Sequence, residues 1–379
     1  MRTHPLRRLG RYLLSREGTG TLLIATSSAV ALGVVPNMIE KLKDSVWTFL
    51  AAFVAAILGV LLGWTMLQKR GAGVVVQLFP HLQESRLELM KNCSRAQHDS
   101  TLLLDRRQLR PAGRTLPLPE LLDLTATFID ARVIEQRGPN LAPGHDPSSA
   151  VSLYPLVPLR DGFLLGRRLS YEHHDLTIMY LNGSVAVPGV VLSPQLRAPL
   201  AADERAHAET VLHPVPDPSN PPPFQACPVE HQHHLALIVR LSPAEGMTST
   251  ARAFARTGSV RWPTTSRHTG YVFDSDDPEA PGTPCGTHFT IEARIDRLPP
   301  DQSTFEAVTK YIHEVWRTAR ASWAETCSSG NIETRLFIMG PTPIAIALGW
   351  LTARDIIDVV HHELRLVNSP PPVPDPEIR

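Results

Sequence analysis

Residues 336–349 read LFIMGPTPIAIALG and join a strand pattern to the start of a helix. The apolar run that opens the segment predicts a strand. Gly340 would let the backbone turn sharply, Thr342 suits an N-cap and Pro343 suits a first helical residue. The alanines and Gly349 would let the helix lie close to the sheet. A helix N-terminus at the carboxyl end of a parallel strand attracts phosphate, although a well-capped helix that binds nothing has the same pattern.

The same pattern occurs 183 residues earlier in the chain. Residues 153–166, LYPLVPLRDGFLLG, align with 336–349 without a gap. Other positions keep this offset, in the pairs Leu122 with Phe305, Ile129 with Ile312, Val133 with Trp316, and Leu176 with Val359. Chance similarity is the alternative, but the constant register over about 60 residues favours an internal duplication.

Each copy reads as strand, helix, strand, helix, strand. The predicted strands are 102–104, 152–157 and 176–181 in the first half, and 235–239, 335–339 and 356–360 in the second. This order predicts an α/β fold of two parallel, Rossmann-like half-domains.

Basic residues mark the first half at two turns. The turn equivalent to 340–345 reads VPLRDG, where Arg160 would add a charged phosphate donor. Arg106 and Arg107 follow the predicted strand 102–104, at the end where ligand sites form in parallel sheets. Exposed basic residues are more often solvated surface, so a phosphate role for this pair is a hypothesis.

Two runs near the N-terminus contain no charged residue. They are residues 18–39 and 45–68, and each exceeds the ~20 residues that a helix needs to cross a bilayer. Basic residues before the first run and Lys69 and Arg70 after the second place both ends in the cytoplasm. Buried core helices are the alternative, and the first run also has the basic start of a signal peptide.

Small residues recur every fourth position in the second run, at Ala51, Ala55, Gly59 and Gly63. Such spacing lets membrane helices approach closely. The contact could join the two spans of one chain or spans of different chains, and the sequence leaves both open.

Composition excludes several classes of protein. The chain has 37 basic residues (Lys and Arg) and 37 acidic residues (Asp and Glu). It therefore carries no net positive charge that would favour binding to duplex nucleic acid. The four cysteines have no CxxC spacing, which fits a reducing cytoplasm and not a zinc site or a disulfide framework. No HExxH, GxSxG or P-loop motif occurs and no GxGxxG follows a strand, so we expect no catalytic residues and no cofactor.

A histidine cluster precedes the predicted strand 235–239. Residues 230–234 read EHQHH, but His233 and His234 are adjacent and would point to opposite faces of a strand. No further ligand is evident nearby, so the sequence predicts no metal site here. The same holds for residues 361–363, HHE.

The segment 336–349 closely resembles the hallmark of SAVED domains, a strand, Gly-Pro and a small-residue helix ending in Leu-Gly. Residues 237–242, LIVRLS, resemble the strand ending in serine that opens the second half of that domain. Residues 163–166, FLLG, resemble the matching helix of the first half. The resemblance covers about residues 98 to 368. The first half departs from the pattern, with LRDG at 159–162 where the second half has TPIA.

The resemblance implies two fused CARF-like halves that form a SAVED domain and sense a cyclic di- or trinucleotide in CBASS antiphage immunity. It implies ligand contacts at Ser242, Gly340, Pro341, Thr342 and Pro343. The implied partners are a nucleotidyltransferase that makes the ligand, further copies of the chain, and inner-membrane lipid. Ligand-driven oligomerisation would then activate the two-helix transmembrane hairpin as a membrane-disrupting effector.

The expected organisation follows from these patterns. A basic cytoplasmic N-terminus (1–17) precedes two spans (18–39 and 45–68) in a bacterial inner membrane, with both termini cytoplasmic. After these come a juxtamembrane linker (69–97), the first half (98–213), a Pro-rich linker (214–228), the second half (229–368) and a disordered tail (369–379). The alternatives are a membrane-tethered enzyme acting on a nucleotide or sugar phosphate, and a scaffold whose turns bind nothing.

Overall fold

The computed structural model describes residues 23–25, 27–28, 54–60, 71–79, 84–109, 116–136, 151–169, 176–224, 229–244, 246–258, 269–274, 283–327 and 331–366. The chain divides into two compact units, Met1–Arg70 and Gly71–Arg379.

The second unit begins with a five-stranded sheet of order β2-β1-β3-β4-β5. Strands β1 to β4 are parallel, and β5 returns as an antiparallel hairpin. The strands are β1 Ala72–Gln77, β2 Ser100–Asp105, β3 Val151–Leu156, β4 Leu176–Asn182 and β5 Val185–Leu192. The connecting helices are α1 Glu84–Gln97, α2 Leu118–Gln136 and α3 Leu159–Arg168. Two helices follow β5, namely α4 Pro194–Arg197 and α5 Ala202–Val211.

A four-stranded parallel sheet of order β10-β9-β6-β8 follows a 3₁₀ turn at Val229–His231. Its strands are β6 His234–Arg240, β8 Thr287–Glu292, β9 Glu333–Met339 and β10 Ile357–Val359. Helices α6 Met247–Thr257, α7 Gln302–Thr326 and α8 Thr342–Leu351 connect them. A separate antiparallel pair is made by β7 Thr269–Asp274 and β11 His361–Leu366.

The two sheets have one topology, because β6, β8, β9 and β10 occupy the places of β1, β2, β3 and β4. The offset of 183 holds between α3 and α8, which begin and end 183 residues apart. It fails at the last strand. Val151 pairs with Leu176, whereas its counterpart Thr334 pairs with Ile357 and not with the predicted Val359. The two parallel, Rossmann-like halves predicted from sequence are therefore present, with a shift of two residues at one edge.

The predicted juxtamembrane linker 69–97 is wrong from Ala72 onward. This segment supplies β1, a buried strand in the sheet interior, and the helix α1. The predicted first strand, 102–104, is β2 at the sheet edge, so its counterpart is β8 and not β6. The sequence AGVVVQ was overlooked because it follows the predicted second span closely and was assigned to the juxtamembrane linker. Within the predicted Pro-rich linker, Pro223 forms a bridge to Thr287 of β8.

The first unit is described over short helical runs only. Most of the predicted spans 18–39 and 45–68 lies outside the described residues, as do 1–17 and 369–379. Among the residues that the structure describes, no helix has the length and apolar character needed to cross a bilayer. A Cβ placed on Gly59 would overlap the Ser27 hydroxyl, so the two helical runs touch within one chain. Ala55 is exposed, while Ala51 and Gly63 lie outside the described ranges.

Helices α3 and α8 join the two halves of the second unit. A Cβ on Gly166 would overlap the carbonyl oxygen of Ile346, and one on Gly349 would overlap that of Phe163. Gly349 therefore brings α8 close to α3. The sequence had suggested instead that this glycine lets α8 lie close to its own sheet. The Arg167 guanidinium reinforces the junction by donating to the carbonyl oxygens of Asp355 (2.7 Å) and Ile357 (2.8 Å).

Candidate functional site

A cavity of about 510 Å³ lies where the carboxyl ends of the strands of both halves meet. Helices α3 and α8 run side by side in the same sense, so their N-termini lie at this end of the molecule. The carboxyl edge of a parallel sheet is the usual position of a ligand site in such folds. The cavity is lined by Phe79, Arg86, Leu89, Met90, Pro155, Leu156, Val157, Met179, Tyr180, Leu181, Gly183, Leu241, Ser242, Pro243, Arg297, Leu298, Pro341, Thr342 and Pro343.

The positions carried over from the sequence resemblance lie together. Ser242, Pro341, Thr342 and Pro343 line the cavity. Gly340 lies beside it, and a Cβ on this residue would be 2.9 Å from the Cβ of Leu241. Gly340 is not one of the described glycines that have a positive φ. Its role is therefore close packing and not a sharp left-handed turn.

The N-terminus of α8 offers fewer free amides than the sequence suggested. Pro341 and not Thr342 is the N-cap, and Thr342 and Pro343 are the first two helical residues. Pro343 has no N–H, and the Ile344 amide donates to the Pro341 carbonyl at 3.1 Å. The Thr342 amide makes no hydrogen bond with a described residue, so this turn presents one amide and the helix dipole to an anion.

Two arginines at the cavity were missed by the sequence reasoning. Arg86 on α1 and Arg297 after β8 line it, and both are exposed. Neither forms an ion pair or a hydrogen bond with any residue that the structure describes. Arg86 was missed because its segment was taken for a linker. Arg297 could have been found, since it follows a strand of alternating pattern at the edge where ligands bind.

The predicted basic residues of the first half lie elsewhere, since Arg106, Arg107 and Arg160 do not line the cavity. Burial raises the pKa of the Asp161 carboxyl, and the nearby charges of Arg160, His361 and Arg106 act in the opposite direction. The Arg107 amide donates to the Asp105 carboxylate at 2.9 Å. Arg106 and Arg160 thus lie near a carboxyl group of their own half and away from the cavity.

The cavity lining combines cationic, hydroxyl and aromatic groups. Its polar groups are two guanidinium groups, the hydroxyls of Ser242, Thr342 and Tyr180, and backbone. No carboxylate, imidazole or thiol is found among the lining residues, which are all within the described ranges. General acid–base catalysis relies most often on such groups. Phe79 and Tyr180 add aromatic surface, and the Tyr180 ring packs edge-on against Phe305 at 5.2 Å.

The prediction for the histidine cluster is wrong in its geometry. The rings of His233 and His234 lie 4.0 Å apart, because His233 precedes β6 and is not bound by strand alternation. Burial is the main cause that lowers the pKa of His234 to about 4, and neighbouring His233 adds to it. A third group, the Glu333 carboxylate, lies 3.5 Å from His234 Nδ1. It comes from the start of β9, a pairing that the sequence alone did not reveal.

No protein-family model matches the chain. No curated protein matches it either. Among solved structures, the chain is similar to an Acinetobacter baumannii Cap4 SAVED/CARF-domain containing receptor with the cyclic trinucleotide 3'3'3'-cAAA, at 10% identity and a TM-score of 0.35. The match covers 81% of this chain and 52% of that receptor, so the chain spans about half of the receptor's length.

Proposed function

We propose that this chain is a membrane-anchored receptor for a cyclic oligonucleotide in CBASS antiphage defence. The observation that carries the proposal is the cavity between the halves, which Arg86 and Arg297 line without a described counter-ion. Each nucleotide of such a ligand brings one phosphodiester charge, and guanidinium groups are well suited to bind phosphate. The SAVED-like positions Ser242 and 341–343 lie at the same cavity.

The size and lining of the cavity fit this ligand class. Its volume of about 510 Å³ lies within the usual range for small-molecule sites. Phe79 and Tyr180 could stack on bases, as aromatic side chains do in nucleotide-binding proteins. The Ser242 and Thr342 hydroxyls could donate to phosphate or ribose oxygens. An enzyme acting on a nucleotide would need an acid, base or metal ligand at the cavity, and the lining offers none of the usual ones.

The first experiment measures thermal unfolding of the full-length chain in detergent with a panel of cyclic di- and trinucleotides. A cognate ligand at 100 times its dissociation constant should stabilise the fold by about 2.7 kcal/mol. The recovered ligand should be chemically unchanged, which distinguishes a receptor from an enzyme. If no cyclic nucleotide raises the melting temperature, the receptor proposal fails for that panel.

Variants locate the binding site. Arg297→Ala should weaken binding about tenfold, since a hydrogen bond to a charged group is worth about 1.5–3 kcal/mol. Thr342→Asp should abolish it, because a carboxylate beside the α8 N-terminus repels phosphate. Arg294→Ala is the matched control, since Arg294 is exposed on the same loop and does not line the cavity. Equal weakening by Arg294→Ala and Arg297→Ala would show that the cavity is not the site.

The effector part of the proposal concerns the first unit. Ligand binding would drive oligomerisation of the chain, and the two predicted spans would then disrupt the bacterial inner membrane. Within the described run 54–60, three large apolar side chains are exposed: Val54 (46%), Ile57 (43%) and Leu58 (60%). Apolar surface of this kind supports contact with lipid. A nucleotidyltransferase that makes the ligand would be the functional partner.

Ligand-triggered leakage tests the effector step. The full-length chain is reconstituted into phosphatidylethanolamine and phosphatidylglycerol vesicles that contain a self-quenched dye. The cognate ligand should release the dye, and Arg297→Ala should need about tenfold more ligand, in line with its weaker binding. Tight binding without any release would refute membrane disruption while leaving the receptor assignment intact.

A further inference from the structure

Three potential metal ligands converge at the amino ends of β6 and β9, the opposite end of the second sheet from the cavity. One donor atom from each of His233, His234 and Glu333 lies within 4.8 Å of the other two. His234 Nδ1 is 3.5 Å from a Glu333 carboxylate oxygen, and the two imidazole rings are 4.0 Å apart. All three residues are half-buried.

The backbone fixes these three residues relative to one another. His234 and Glu333 are direct partners in the parallel pairing of β6 with β9. The Glu333 amide donates to the His233 carbonyl at 3.1 Å, and the Gly286 amide donates to the His234 carbonyl at 2.8 Å. The preceding carbonyl, of Gln232, accepts from the Trp323 indole at 2.7 Å. Only side-chain rotation is therefore needed to close the three donors around an ion.

We infer that His233, His234 and Glu333 form a binding site for a divalent first-row transition-metal ion such as Zn²⁺. The two imidazole nitrogens favour such ions over Mg²⁺ and Ca²⁺, which prefer oxygen ligands. Two histidines and one glutamate are also a known ligand set of zinc sites. Ligand bonds of about 2.0–2.2 Å in a tetrahedron place donor atoms about 3.4 Å apart. The separation of His234 from Glu333 already has this value. Water completes the coordination, since the three residues are partly exposed.

The charges around the three ligands are compatible with a bound cation. Arg335, the basic residue that faces His234 electrostatically, donates to the Thr283 carbonyl and lies 3.8 Å from the Asp358 carboxylate. Its charge is thus partly neutralised by groups outside the cluster. Bound metal would fasten β6 to β9 at the end remote from the cavity, so this site stabilises the second half whether or not the cavity binds a nucleotide.

The test uses the full-length chain with its affinity tag removed. Zn²⁺ is titrated calorimetrically, and Co²⁺ absorption bands report the coordination geometry. Wild type should bind one ion with a distinct tight affinity and gain melting temperature. Glu333→Gln and His234→Ala should each weaken this binding by about tenfold or more, since even outer-shell changes cost 10–100-fold.

His213→Ala is the matched control, because His213 is exposed and outside the cluster. It should leave the affinity, the Co²⁺ spectrum and the metal-dependent rise in melting temperature unchanged. Equal Zn²⁺ affinity in wild type and Glu333→Gln, or no saturable binding by wild type, would overturn the inference. Glu333→Gln keeps the size of the side chain, so it decides the matter even if His234→Ala fails to fold.

Discussion

Replacing Gly349 with alanine should lower the free energy of unfolding by about 3 kcal/mol, the upper end of typical overpacking penalties. The new methyl group would overlap the backbone carbonyl oxygen of Phe163 and lie 2.9 Å from its carbonyl carbon. A backbone atom inside a packed helix pair cannot rotate away as a flexible side chain can. Gly166→Ala should cost a similar amount, because it meets the Ile346 carbonyl in the same way. Denaturant unfolding followed by circular dichroism measures both changes.

Gly162→Ala is the control for this prediction. It lies on the same face of α3, one turn before Gly166, and its added methyl group would meet only side chains, at 3.1 Å and beyond. Alanine also favours the helix by up to about 1 kcal/mol over glycine. We expect little change or slight stabilisation. If Gly349→Ala behaved like Gly162→Ala, the close crossing of α3 and α8 would be wrong.

Removing the Glu204 carboxylate should cost about 3 kcal/mol, because it leaves a buried lysine without its partner. The Lys310 side chain on α7 is 7% exposed, and its ammonium donates to both Glu204 oxygens, at 2.6 and 2.8 Å. Glu306 also faces the Lys310 charge, but burial raises the pKa of its carboxyl and its Oε1 already accepts from the Val191 amide and the Gln302 side chain. It therefore replaces Glu204 only in part. Thermal unfolding of Glu204→Ala measures the loss.

Two further variants separate the ion pair from other effects of the mutation. Asp203→Ala also removes an acidic residue from the first turn of α5, but Asp203 is exposed, so the expected cost is below about 1 kcal/mol. The double variant Glu204→Leu with Lys310→Met should regain much of the stability, since an apolar pair often replaces a buried ion pair at little cost. A double variant as unstable as Glu204→Ala would contradict the assigned role of the pair.

The sequence was sufficient wherever structure is decided locally. The strand, turn and helix of 336–349 were predicted because an apolar run and helix-start residues lie within one short segment. Their copy at 153–166 followed from the shared register. The crossing of α3 with α8 was not predicted, since the sequence of neither helix indicates which other element it packs against. The glycines were noticed, but only the tertiary fold shows that each one meets the other half.

The candidate site was predictable in part for the same reason. The resemblance supplied Ser242, and the strand and helix-start pattern of 336–349 indicated Thr342 and Pro343. All three line the cavity. Arg86 was missed because β1 and α1 were assigned to the juxtamembrane linker that follows the predicted spans. Glu333 escaped because its relation to His234 depends on the pairing of strands about 100 residues apart.

The reciprocal contact between α3 and α8 resembles an isologous interface, but both of its sides belong to one chain. Gly166 meets Ile346 as Gly349 meets Phe163, which is how two identical subunits would meet across a two-fold axis. In a symmetric dimer one substitution alters both sides at once. In the fused chain each side can change alone, so the two turns at the cavity are free to diverge. The equivalent positions differ, with Leu159 and Arg160 at the places of Thr342 and Pro343. Only Thr342 and Pro343 line the cavity, so a pseudo-symmetric frame holds an asymmetric pocket.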